Sequence, residues 1–176
     1  HRCERASGGR QVTCSVIKDG GDDPDVTHGA EICATVSRQL GLEPGVHIKG
    51  GPGVGTVTLP GTGITVGDPA ITRVPRRMIN EAVGEAAASH GLGPEESLLV
   101  QISVPNGEEI AKKTTNSRLG VLGGISILGS TGVVQPYSTA AWRASVHLAI
   151  DVAASNGLSH LVLSTGTQSE AFARRC

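Results

Sequence analysis

The chain has 176 residues, 38% hydrophobic and 18% charged, a balance that excludes a disordered chain and allows one domain or two small ones. Its formal net charge of -1, with both signs interspersed, gives no electrostatic footprint for nucleic acid or a membrane surface. There are 25 glycines against one each of Phe, Tyr and Trp, so the core must come from Val, Ile, Leu and Ala, and stacking platforms for bases are nearly absent.

From the N-terminal end, Val12, Cys14 and Val16 alternate in a half-buried strand pattern over residues 11–18. A turn-rich segment, 19–29, follows. Short β-like runs at 46–49 and 55–59 flank Gly50-Gly51-Pro52-Gly53. The first helix is expected from Val74-Pro75, since proline suits a first helical turn, with Met78, Ile79, Ala82, Val83, Ala86 and Ala87 as its apolar stripe and Gly91 as its stop. A strand over 97–104 ends at the Pro105-Asn106-Gly107 turn.

Near Lys112 the composition shifts to Gly, Ser and Thr, and the stretch 119–134 is too short and too broken to span a bilayer. A second long helix is expected over 139–155, capped by Ser138 or Thr139 and stopped by Asn156-Gly157. The run Leu161-Val162-Leu163 reads as a buried strand leading through Ser164-Thr165-Gly166 into a new helix, the order of a parallel α/β unit. The expectation is therefore an α+β domain over 1–118 and the start of a smaller α/β domain with a parallel sheet over 119–176. Beginning at His1 without a Met and stopping at Cys176 inside an apparent helix, the sequence reads as an internal fragment, truncated at both ends. Cys3, Cys14, Cys33 and Cys176 have no metal-binding spacing and are expected to be free thiols in a reducing, cytoplasmic setting. No signal peptide is visible.

Several segments carry candidate chemistry. Asp22, Asp23 and Asp25 surround Pro24, three residues before His28. They could bind a cationic or hydroxylated ligand with His28 moving a proton, or form an Asp-Pro turn with a backbone-bonded histidine. No second ligand set for a metal stands out. The run Gly50 to Gly55 could turn backbone amides toward a ligand, or be a plain hairpin. Arg76 and Arg77 oppose the helix dipole, at a cost of about 0.3–1 kcal/mol each when exposed, which either an anionic ligand or a salt bridge would offset.

The run Lys112-Lys113-Thr114-Thr115-Asn116-Ser117-Arg118, leading into Gly123-Gly124-Ile125-Ser126, lacks the Gly-Lys-Ser/Thr end of a P-loop, and suits a ligand cleft better than a linker. Thr165 and Gly166 would lie at the carboxyl end of the expected strand, where α/β sheets bind ligands. His47, His90, His147 and His160 are scattered and read as structural.

Five pieces occur in a familiar order: Gly20-Gly21-Asp22-Asp23-Pro24-Asp25-Val26-Thr27-His28-Gly29; Lys49 to Thr58 around Gly50-Gly51-Pro52-Gly53; Val66-Gly67-Asp68-Pro69-Ala70-Ile71; Val74-Pro75-Arg76-Arg77-Met78-Ile79; and Lys113-Thr114-Thr115-Asn116-Ser117-Arg118-Leu119-Gly120 followed by Gly123 to Gly129. Over roughly residues 18–173 the chain resembles the CbiD family of anaerobic cobalamin biosynthesis. That resemblance implies methyl transfer from S-adenosylmethionine to C1 of cobalt-precorrin-5B, giving cobalt-precorrin-6A. It also implies a first domain like a rearranged ribosomal S5 domain 2 and a smaller α/β domain.

Charge matching then assigns His28, Asp22 and Asp23 to catalysis. Arg76, Arg77, Lys113, Asn116 and Arg118 go to the substrate. Asp25, Gly51, Gly53, Gly124, Ser126, Thr165 and Gly166 go to the methyl donor. No metal is expected; a homo-oligomer or other cobalamin pathway enzymes are the expected partners. Thr167-Gln168 stands where relatives would carry basic residues. A tetrapyrrole-binding scaffold without catalysis is the alternative, and a nucleotide-dependent enzyme using the Gly-rich loops is a weaker one.

Overall fold

The computed structural model describes residues 2–5, 11–93 and 95–175. Its centre is a five-stranded sheet in the order β1-β2-β3-β7-β4, built from β1 (Arg2–Arg5), β2 (Gln11–Ile17), β3 (Glu31–Arg38), β4 (Gly45–Gly50) and β7 (Ser97–Ser103). The pairs along β1-β2-β3-β7 are antiparallel, and β4 runs parallel to β7. A parallel pair needs a crossover. Here the crossover holds β5 (Gly53–Val54), β6 (Thr56–Val57) and the helix α1 (Arg73–Ser89).

The register puts one row of side chains, Val12, Val36, Val100 and Ile48, straight across the sheet. On that face Val100, Ile102 and Val104 are buried, together with Ala30, Val54, Ile71 and Ile125, and Ile79 and Val83 of α1 pack against them. The expected stripe of α1 thus does cover the sheet, through its Ile79 and Val83 positions. Thr72 precedes this helix in extended backbone and Pro75 sits in its first turn. On the other face, the hydroxyls of Thr13 and Thr35 meet at 2.8 Å.

A short helix α2 (Gly107–Ala111) and a 3-10 turn (Asn116–Leu119) lead to β8 (Val121–Leu122) and β9 (Gly124–Ile125). β9 pairs parallel with β5, and β8 pairs antiparallel with β6. The Gly50–Gly53 run is therefore not a hairpin: the strands after it pair with segments some seventy residues away, not with β4. These pairings join residues on either side of position 118/119, and Ile127 also bridges to Ile71. Two long helical expectations hold: α1, and α3 (Thr139–Ser155), whose cap Ser138 accepts a hydrogen bond from the Ala141 amide at 3.2 Å. A last helix, α4 (Thr167–Ala173), follows.

Two expectations are corrected. Leu161, Val162 and Leu163 form no strand and are 45%, 71% and 61% exposed; an apolar run becomes a strand only against a neighbour, and none of the described residues pairs with it. The second-domain parallel sheet is accordingly absent among the described residues, and the region after Ile127 carries only helices. The cysteines are also not all free thiols. Cys14 is disulfide-bonded, while Cys33 is free. Cys176 lies outside the described residues. Among the described residues no helix is long and apolar enough to cross a membrane.

Candidate functional site

A cleft of about 360 Å³ opens between the turn after β2 and the loop that joins α2 to β9. One wall is Lys18, Asp25, Val26 and Thr27, backed by Ile32 of β3; the other is Thr114, Thr115 and Asn116, with Ser126 and its apolar neighbours Ile125, Ile127 and Leu128. The volume lies near the lower end of the range of about 300–1,000 Å³ typical of small-molecule sites. An apolar lining with a few convergent polar groups is the composition such sites have.

The first wall is a knot of local bonds. The Lys18 ammonium is paired with the Asp25 carboxylate and donates to the Thr27 hydroxyl. Asp25 also accepts from the Thr27 amide and hydroxyl, both at 2.8 Å. Partial burial pulls the Asp25 carboxyl upward, but the Lys18 hydrogen bond, the two Thr27 bonds and the Lys18 charge outweigh it and hold it below its ordinary range. Asp25 is therefore ionised at neutral pH, with one oxygen turned to a cation and the other to a turn. The turn is itself an Asx-type structure: a carboxylate at Asp25 bonding two residues ahead is what this residue type does at turns.

The second wall is pinned by Asn116, which is buried. Its amide donates to the Gly124 carbonyl at 3.0 Å, and its oxygen accepts from the Ser126 hydroxyl at 3.3 Å. The loop before β9 is thereby tied to β9, and the lone pairs of Ser126 are left for the cleft. Thr114 donates its hydroxyl to the Ala111 carbonyl at 2.8 Å and accepts from the Asn116 amide at 3.2 Å.

The structure brings three of the expected site residues to this cleft: Asp25, Asn116 and Ser126. His28 lies beside it with Nδ1 accepting from the Gly20 amide at 3.0 Å, the backbone-bonded arrangement of the alternative reading. An acceptor at Nδ1 places the ring proton on Nε2. Asp22 is exposed, and Asp23 accepts from the Tyr137 amide at 3.1 Å.

The expected cations are mostly engaged elsewhere. Arg76 folds back to donate to the Ile71 carbonyl at 2.9 Å and the Pro69 carbonyl at 3.3 Å, so carbonyls just ahead of α1 offset its position against the helix dipole. Arg77 pairs with Glu81 one turn on, at 3.6 Å. Arg118 is bound to Glu170 of α4 at 2.6 Å, which also takes Arg174 at 2.8 Å. Bonds from both arginines hold the Glu170 carboxyl below its usual range. Lys113 is exposed, next to Thr114 of the cleft wall.

The glycines Gly51, Gly53 and Gly124 sit at close contacts within the chain. Gly53 sits at φ 76, and a Cβ there would fall on the Val104 carbonyl oxygen, while one on Gly124 would fall on the Gly53 carbonyl. A Cβ on Gly51 would meet the Gln101 side chain. These close approaches let β5 lie against Val104 and Gly107 and let β9 lie against β5. Thr165 and Gly166 do not line the cleft; Thr165 offers its carbonyl to Ser169 at 2.6 Å.

Lys18 and Thr27 escape a reading by motif. Lys18 ends a strand pattern, and its partners lie 7 and 9 residues on, a spacing that becomes a contact only once the turn has closed. Among the described residues no group of three or more His, Cys, Asp or Glu could hold a metal.

Comparison with known proteins follows the same outline. The family model CbiD matches residues 2–136. Among curated relatives, the cobalt-precorrin-5B C(1)-methyltransferase of Geobacillus thermodenitrificans is 58% identical over 94% of this chain and 43% of its own length. That of Salinispora tropica is 57% identical over 98% of this chain and 43% of its own length. The crystal structure of cobalamin biosynthesis protein CbiD from Archaeoglobus fulgidus superposes with a TM-score of 0.53 at 28% identity, over 95% of this chain and 50% of that one. The chain thus spans less than half the length of the curated relatives it matches. With its family match covering both cleft walls, the chain belongs to the CbiD family.

Proposed function

We propose that this chain carries the methyl-donor half of an S-adenosylmethionine-dependent C-methyltransferase acting on C1 of cobalt-precorrin-5B to give cobalt-precorrin-6A. The observation that supports it is the cleft, where an ionised Asp25, four hydroxyls (Thr27, Thr114, Thr115, Ser126) and five branched apolar side chains converge. The names of the relatives agree with this reading. Asp25 suits the cationic or hydroxylated parts of the donor, the hydroxyls suit its ribose, and Ile125, Ile127 and Leu128 suit its apolar surface. The donor supplies a methyl group already activated as a sulfonium, so this chain's task is alignment more than activation. Asn116 holds Ser126, and Lys18 holds Asp25; both are positioning residues.

A volume of about 360 Å³ suits a nucleoside-sized donor, and a macrocycle would lie across the mouth. Lys113, exposed at the rim, is the cation we assign to a carboxylate of that macrocycle. His28, with a proton on Nε2, remains our candidate for proton transfer on the ring. We further propose that the chain divides after Ile127 into an S5-like α+β part and a smaller part, and that it works in the cytoplasm.

The test is transfer of labelled methyl from S-adenosylmethionine to cobalt-precorrin-5B by the intact protein. Label at C1 supports the proposal; tetrapyrrole binding with no donor binding would put a non-catalytic scaffold in its place.

A further inference from the structure

The segment 129–137 leaves the cleft at Leu128, which lines one wall. It passes α1 at Met78, which lies 3.4 Å from where a Gly132 side chain would begin. It then returns to the opposite wall, where the Tyr137 amide donates to the Asp23 carboxylate at 3.1 Å, two residues before Asp25. Both ends of this strap are thus at the rims of one cleft. Ser138, the next residue, caps α3. The strap begins with positive φ at Gly129 and Gly132, 138° and 78°, conformations that glycine adopts without a steric penalty and that suit a hinge.

Its far end is held differently. Tyr137 is in the left-handed region at φ 53, a conformation disfavoured for a residue with a Cβ. Such a conformation persists only where its surroundings impose it. The Asp23 carboxylate meets Tyr137 there, in a solvent-exposed bond to its amide between residues 114 apart in the chain. Of the strap's larger apolar side chains, Val133 and Tyr137 are 80% and 75% exposed and Val134 is half-buried, so apolar burial holds it at one position.

We infer that Asp23 is a positioning residue that latches the strap 129–137 across the rims of the cleft, and that the strap's release sets the rate at which a ligand enters and leaves. The inference rests on the cleft being the donor site, while the latch itself does not. With the latch closed, the Tyr137 amide is protected and Leu128 is held on its wall. With it open, the hinge glycines let 129–137 swing away.

The test is hydrogen exchange across the intact protein, read peptide by peptide, for wild type, Asp23→Ala and Asp23→Asn. Asp23→Ala is expected to speed exchange in 131–138 at least about tenfold, equivalent to about 1.4 kcal/mol, with β2, β3 and β7 unchanged. Asp23→Asn keeps an acceptor oxygen and is expected to fall between the two, which keeps the test open should the alanine variant unfold. Unchanged exchange in 131–138 in both variants overturns the latch. Stopped-flow binding of S-adenosylhomocysteine then separates the two readings. Faster association and dissociation in Asp23→Ala supports control of access. Unchanged rates with a faster-exchanging strap overturn that control. No binding by wild type removes the donor-site reading, and with it the ligand role of the latch.

Discussion

Replacing Gly53 by alanine separates a structural glycine from a ligand-cradling one. At φ 76 any Cβ costs roughly 1–2 kcal/mol. At this position the Cβ would also fall on the Val104 carbonyl oxygen and 3.1 Å from the Gly107 Cα. Both are backbone atoms that cannot rotate aside, so β5 must move off β7 and α2, an overpacking cost of about 1–3 kcal/mol. The sum is roughly 2–5 kcal/mol, a large part of the ~5–15 kcal/mol that holds a domain folded. Gly63 is the control: its φ is 74 and nothing lies within 4 Å of a Cβ there, so Gly63→Ala should show the conformational cost alone. Urea unfolding of both variants measures the difference, which should be about 1–3 kcal/mol. Equal losses would refute the backbone contact. A Gly53→Ala protein of full stability that had lost donor binding would instead make this loop a ligand cradle.

Lys18→Met leaves the Asp25 carboxylate with its turn bonds but without its cation; the loss should be about 1–3 kcal/mol, toward the lower end because both side chains are partly solvated. Because Asp25 is held below its ordinary 3.8, its contribution is present above that pH and is lost as pH falls through the folded value; acid unfolding of Lys18→Met should therefore show a shallower loss than wild type. Asn116→Ala strips the Gly124 carbonyl of its donor and Ser126 of its acceptor, and should cost about 1–3 kcal/mol by denaturant titration; Asn116→Asp, which sets oxygen against that carbonyl, should cost more. Ile71, with no exposure, should lose about 2–5 kcal/mol as alanine, whereas Leu40, fully exposed, should change by no more than about 0.5 kcal/mol.

The elements that can be read from sequence are those whose signal is local. β2, β4, β7, α1 and α3 each carry a period and an end: Pro75 in the first turn of α1, Ser138 capping α3, the turn after β7. β3 alternates too, but through Ile32, Ala34 and Val36 set among Cys33 and Thr35, where small residues blur the pattern. The pairing of 53–57 with 121–125 has no local signal, because two-residue strands are defined only by what they touch. Leu161-Val162-Leu163 fails for the same reason in reverse: its composition is that of a strand, but pairing supplies the hydrogen bonds and composition does not.

The site divides likewise. The Asp-Pro turn and the Thr-Thr-Asn-Ser run mark the two walls, and Asp25, Asn116 and Ser126 follow from them. Charge alone does not reveal the carbonyls that take the Arg76 hydrogen bonds or the Glu170 that takes those of Arg118.

The central claim is that the cleft between Lys18–Thr27 and Thr114–Leu128 takes the methyl donor, and the most direct test is calorimetric titration of S-adenosylhomocysteine into wild type and Val26→Trp. Val26 lines the cleft yet is 47% exposed, so an indole there fills the space without disturbing the core. Binding to wild type that weakens at least about tenfold in a folded Val26→Trp protein is the result expected; equal affinity in the two proteins would place the donor elsewhere.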